Sequence, residues 1–180
     1  MPEVEQAHVR ALLRQGDHAR TKAAKGNALE ELVCYLFDLI PGVTVTVRDQ
    51  KDPAQSQEID VAVRNGRAAG GLIATDFPEM ILIECKNWTA KVTSMEVAWF
   101  YTKLRLRGLP FGILVASKGI TGDRQDLTNA HSIISLALRD KCSIVVITRQ
   151  EIEAITHTDD LVRQLETKLC QLAVYGTCLL

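Results

Sequence analysis

Met80-Ile81-Leu82-Ile83-Glu84-Cys85-Lys86 is an apolar run that ends on two charges of opposite sign. Read as a strand, it sends Ile81, Ile83 and Cys85 to one face and Leu82, Glu84 and Lys86 to the other. Glu84 and Lys86 then leave the same face about 7 Å apart at the usual strand rise. Upstream, Glu58-Ile59-Asp60-Val61-Ala62-Val63-Arg64 repeats the alternation, with Asp60 opposite in sense to Ile59, Val61 and Val63. If these two strands pair, Asp60 comes alongside Glu84. Asn65-Gly66 between them is a strong turn signal, although the segment to Pro78 is too long for a two-residue hairpin.

The pattern extends in both directions. Val43, Val45 and Val47 alternate with Thr44 and Thr46, a β-branched run that predicts another strand. A helix is predicted after Lys25-Gly26-Asn27, with Asn27 as its cap and Glu30 at the third helical position. Its apolar face is Leu29, Leu32, Val33, Leu36, Phe37 and Ile40, and Pro41-Gly42 ends it. Residues 3–20 predict a more polar helix with a thin stripe of Val4, Val9, Leu12 and Leu13.

Downstream, a helix over about residues 92–107 stops at Gly108-Leu109-Pro110, with Trp99 and Phe100 read as core. A buried strand, Phe111 to Ala116, follows. Then come a helix over about 123–139, a strand from Ser143 to Thr148, and helical segments to about Tyr175. Three consecutive strands argue for an antiparallel meander, and the later crossovers for parallel strands. The expected fold is α/β: three layers, αβα, around a central mixed β-sheet.

Composition sets the frame. The chain has 180 residues, 47% hydrophobic and 24% charged, with a net charge of -1. That is the balance of one soluble globular domain, and it excludes extensive disorder. No apolar run approaches the roughly 20 residues of a membrane helix. Cys34, Cys85, Cys142, Cys170 and Cys178 have no zinc-ligand spacing and read as small buried hydrophobes in a reducing compartment. The start lacks a secretory pattern, so a cytoplasmic location is expected. The neutral total conceals a segregation: residues 29–85 carry -6 and residues 86–124 carry +5.

Two converging carboxylates repel each other unless something neutralises them. A hard divalent cation does so, and Mg²⁺ characteristically takes one or two carboxylates, waters and substrate phosphate. A lysine beside it can orient a water and offset charge on a phosphorane-like transition state. Spacing and chemistry together suggest metal-assisted phosphodiester hydrolysis. A lone Glu-x-Lys is usually a solvated face or a cross-strand ion pair. Its combination with Asp60 and Glu30 is what makes the signal specific. No P-loop, G-x-S-x-G or H-E-x-x-H motif occurs.

Glu58-Ile59-Asp60, then Ile83-Glu84-Cys85-Lys86, with Glu30 on the preceding helix, resembles the PD-(D/E)xK restriction-endonuclease-like nuclease superfamily. It is most similar to the Mrr-type catalytic domain, through Gly26-Asn27-Ala28-Leu29-Glu30-Glu31, Glu84-Cys85-Lys86-Asn87-Trp88 and Gly112-Ile113-Leu114-Val115-Ala116-Ser117. Ile59 stands where the motif name has proline. The resemblance implies that Asp60, Glu84 and the Cys85 backbone carbonyl hold the metal, Mg²⁺ with Mn²⁺ as a substitute. It also implies that Lys86 positions or activates the attacking water and that Glu30 completes the site.

Lys91, Lys118, Arg124 and Trp88 are the candidate nucleic-acid contacts, with Lys103, Arg105 and Arg107 as further phosphate holders. The expected organisation is an N-terminal helical extension over 1–24, a nuclease core over 25–150 and a C-terminal helical segment over 151–180. In the last, Leu161, Leu165, Leu169 and Leu172 form a stripe that packs on the core or makes a homodimer interface. The expected function is a metal-dependent endonuclease acting on DNA, in restriction or defence. The alternatives are a structure-selective junction-resolving or repair nuclease and an inactive nuclease-like binding module. No sequence-reading domain is visible, which leaves specificity to a separate specificity or motor subunit.

Overall fold

The computed structural model describes residues 2–51, 58–66, 77–87, 89–123, 125 and 127–179. The elements run α1 (Gln6–His18), α2 (Lys22–Asp38), β1 (Val43–Lys51), β2 (Glu58–Asn65), β3 (Met80–Lys86), α3 (Ser94–Leu106), β4 (Phe111–Ala116), α4 (Ala130–Arg139), β5 (Ser143–Ile147), α5 (Arg149–Glu153) and α6 (Thr158–Tyr175). Strand order equals chain order, β1-β2-β3-β4-β5. The first three strands pair antiparallel, and β3-β4 and β4-β5 pair parallel. The mixed sheet expected from the alternation is the sheet observed.

Its faces are covered by different helices. Gly112 pairs with Leu82 on β3, and a Cβ on Gly112 would stand 2.7 Å from both Phe100 and Leu104 of α3. The face of Leu82 and Glu84 therefore lies under α3. Cys85, one residue out of phase, has Glu30 and Cys34 of α2 as its neighbours. All six residues of β4 are buried, as a strand sandwiched between two helical layers must be.

Four expectations change. The helix carrying Glu30 begins at Lys22, with the Thr21 side chain accepting from the Ala24 N–H at 3.1 Å, so Asn27 is not its cap. The helix expected from residue 123 begins only at Ala130. Gly122, Leu127 and Asn129 all adopt positive φ, which no helix tolerates. Trp99 is 51% exposed on the outer side of α3, whereas Phe100 is in the core. The five cysteines are free, but Cys170 is exposed rather than buried.

Leu161, Leu165 and Leu172 of α6 are each 1% exposed within the chain's own core. The N-terminal segment is tied to this region. Val4 N–H donates to the Thr156 carbonyl at 2.8 Å and Thr158 N–H to the Pro2 carbonyl at 3.0 Å. No helix among the described residues is long and apolar enough to cross a membrane.

Candidate active site

Pairing of Val61 with Ile83 puts Asp60 and Glu84 one step further along the same ladder. There the two strands diverge. The Cys85 N–H donates to Asp60 Oδ2 at 2.7 Å, so the carboxylate occupies the place a strand carbonyl would take. Glu84 is 4% exposed and held from two sides, its Oε1 2.8 Å from Lys86 Nζ and its Oε2 2.7 Å from Lys103 Nζ. Lys103 also donates to the Glu58 carbonyl at 2.8 Å, which fixes α3 against the start of β2.

α2 supplies the opposite wall. Glu30 is 8% exposed, and its Oε2 is a buried oxygen without a hydrogen-bond partner. Together with Asp49, Glu58, Asp60, Cys85, Lys86 and Asn87 it lines a cleft of about 440 Å³ whose rim carries Lys22 and Lys25. Glu84 lies behind this cleft, screened by Lys86. A larger cleft, of about 570 Å³, opens between α5 and α6. It holds none of the residues nominated from sequence, and its buried Lys168 is already spent on Glu151 and the Cys178 carbonyl.

The electrostatics record the crowding of acids. Burial, then the charges of Asp60 and Asp49, push Glu30 up to about 7. Burial and the charge of Glu84 raise Asp60 to about 6, against the pull of the Cys85 N–H and of Lys86 and Lys103. For Lys86, burial alone would favour the neutral amine. The charge and hydrogen bond of Glu84 outweigh it and raise the ammonium above its ordinary value.

Among the described residues, no group of three or more His, Cys, Asp or Glu side chains is arranged to hold a metal ion. The donor set nevertheless suits a hard cation that takes one or two carboxylates and fills the rest of its shell with water and phosphate. Two carboxylates converge on one strand end, and the orphaned Glu30 oxygen is an acceptor in want of a positive partner.

Of the proposed nucleic-acid contacts, Lys118 and Lys91 line a recess with Gly119 and His131. A second recess joins Lys118 to Lys25, Asn87, Ser117 and Thr89, and through Lys25 and Asn87 it adjoins the acidic cleft. Arg124 and Trp88 lie outside the described residues. Lys103 is not a phosphate holder, because it is 5% exposed and committed to Glu84. Arg105 stacks over Tyr101 at 5.6 Å, and Arg107 donates to the Lys103 carbonyl.

Sequence reasoning gave Lys103 the wrong role and missed Asn87 and Asp49. Lys103 had a signal, being a charge beside the apolar stripe of Val97, Phe100 and Leu104. Asn87 directly follows Lys86, and it donates to the Lys25 carbonyl and accepts from Ser117. Asp49 belongs to a strand four residues longer than its alternation suggests.

A family model described as restriction endonuclease, the Mrr-type catalytic domain, matches residues 21–153. The chain belongs to this family. No curated protein and no solved structure matches it. The Mrr-type match begins at the Thr21 cap of α2 and ends at the last residue of α5. It therefore takes in every side chain of the acidic cleft and leaves α1 and α6 outside.

Proposed function

We propose that this Mrr-type chain is an endonuclease that hydrolyses DNA phosphodiester bonds with Mg²⁺ or Mn²⁺. The observation that carries this reading is the meeting of Asp60, Glu84 and Lys86 where β2 and β3 part, with Asp60 and Lys86 lining a cleft and Glu84 paired to Lys86 behind it. Family membership supplies the reaction class, and the basic residues along the adjoining recess suit a polyanion.

Asp60 and Glu84, with the Cys85 carbonyl, would hold the ion, and Glu30 would complete its shell directly or through water. Once bound, such an ion supplies Lewis-acid polarisation of the phosphate and a more acidic water. Lys86 presents its ammonium to the cleft beside Glu84 and donates hydrogen bonds there. It orients the attacking water and offsets charge on the phosphoryl oxygens as it builds. Asn87 holds the loop after β3 against α2 and β4, which keeps Lys86 at the mouth of the cleft. Lys25 and Lys118 flank this point and suit neighbouring phosphates.

Supercoiled plasmid, linear duplex and branched DNA incubated with Mg²⁺, Mn²⁺ or EDTA test the reading. The wild type is expected to cut in either metal and not in EDTA, and Asp60→Ala and Lys86→Ala to be inactive. Equal cutting by the variants would remove the site assignment. Cutting confined to branched DNA would mark a junction-resolving enzyme, and tight binding without cutting an inactive module. Restriction or defence is the role proposed for cutting of unbranched duplex.

A further inference from the structure

Glu84 has two lysine partners, and they are not equivalent. Lys86 lies on the same strand, with 19% of its side chain exposed at the cleft. Lys103 comes from α3, is 6% exposed, and does not line the cleft. Its second bond, to the Glu58 carbonyl, ties its ammonium to backbone as well as to carboxylate. Taking Lys103 away from Glu84 would leave an ammonium inside the protein without its carboxylate, which burial strongly disfavours. A cation entering from the cleft therefore competes with Lys86, the partner that can move into solvent.

Counting charge leads further. The carboxylates of Asp60 and Glu84 are matched by the ammoniums of Lys86 and Lys103. With Lys86 turned to substrate phosphate, one divalent ion and Lys103 already outweigh these two carboxylates by one positive charge. A second divalent ion bridged to the first by Glu84 would need its other oxygen, and that oxygen faces Lys103. We propose that Lys103 is a positioning residue that takes the place of a second cation on Glu84 and limits this active centre to one divalent ion. The inference rests on Asp60 and Glu84 being the metal ligands. It assigns Lys103 no contact with substrate.

Mn²⁺ binding counted by the electron paramagnetic resonance of the free ion tests it without any cleavage assay. The wild-type protein is expected to bind one Mn²⁺ per chain. Lys103→Met, of similar length and uncharged, is expected to bind two, and Lys103→Arg to bind one. Circular dichroism of each variant checks folding. If Lys103→Met does not fold, Lys103→Gln replaces it with the same expectation, and two ions on Lys103→Arg would overturn the inference by themselves. Two ions on the wild type would overturn the inference and leave the nuclease reading intact. One ion on folded Lys103→Met or Lys103→Gln would overturn it equally. No ion on any protein would remove the metal-ligand assignment and this inference with it.

Discussion

A carboxyl group with a buried, unpartnered oxygen resists ionisation, and Glu30 is such a group. Its pKa is raised from its ordinary 4.5 to about 7, first by burial and then by Asp60. Between those values the folded chain holds more protons than the unfolded chain, so stability falls as pH rises through the window. Asp60, raised from 3.8 to about 6, adds to the fall at its lower end. The interval from pH 6 to 7 belongs mainly to Glu30. Urea unfolding in EDTA is expected to show this decline in the wild type and a flatter curve above pH 6 in Glu30→Gln. Parallel curves would contradict the assignment. A bound divalent ion favours the ionised carboxylates, so Mn²⁺ should raise the melting temperature more at pH 8 than at pH 5.5. Lys86→Met removes the proposed donor and keeps much of the packing. It should lower the cleavage rate by about 10²–10³, the usual cost of one such donor, with little change in DNA affinity measured in EDTA. These residues were readable in advance because strand alternation alone aligns Glu84 with Lys86. Lys103 was not, since which helical lysine turns inward depends on how α3 lies across the sheet.

The setting of α3 depends on a missing side chain. Gly112 leaves room for Phe100 and Leu104, and both are almost wholly buried. Gly112→Ala would drive a methyl group to 2.7 Å from each, and the tight core offers little space to yield. Overpacking of this kind costs about 1–3 kcal/mol. Lys103 lies between those two residues, so the same shift should weaken its hold on Glu84. Urea unfolding should show the loss, and cleavage at a temperature where the variant is folded should also fall. Full activity with unchanged stability would show that α3 has slack. Period two exposed the strands clearly, because β-branched alternation survives in any tertiary setting. The start of α4 was hidden for a local reason. Thr128 bonds Asp123 through both its N–H and its hydroxyl, closing a turn where the polar-apolar pattern still reads as helix. α2 was extended towards its N-terminus because Lys22-Ala23-Ala24-Lys25 favours helix and Thr21 caps it.

A net charge of -1 hides an acidic block and a basic block, and the fold sets parts of them side by side. DNA binding without metal should therefore weaken steeply with salt. Lys25→Ala and Lys118→Ala should each reduce the slope of log K against log salt by about 1. An unchanged slope would place the backbone elsewhere. Trp99 shows why the outer surface was less legible than the interior. An aromatic residue in an apolar helix is core by default, yet which side of α3 meets the sheet is decided by Gly112 on a strand still to come in the chain. The clasp of Pro2 and Val4 with Thr156 and Thr158 has a consequence in time. During synthesis the cleft residues leave the ribosome before Thr156 and Thr158, so the backbone bonds of Pro2 and Val4 form only after those residues have emerged. This contact of very long sequence separation makes the closing of the nuclease fold a late event. A chain released before that point would carry the full set of cleft residues without the bonds that Pro2 and Val4 make to Thr156 and Thr158.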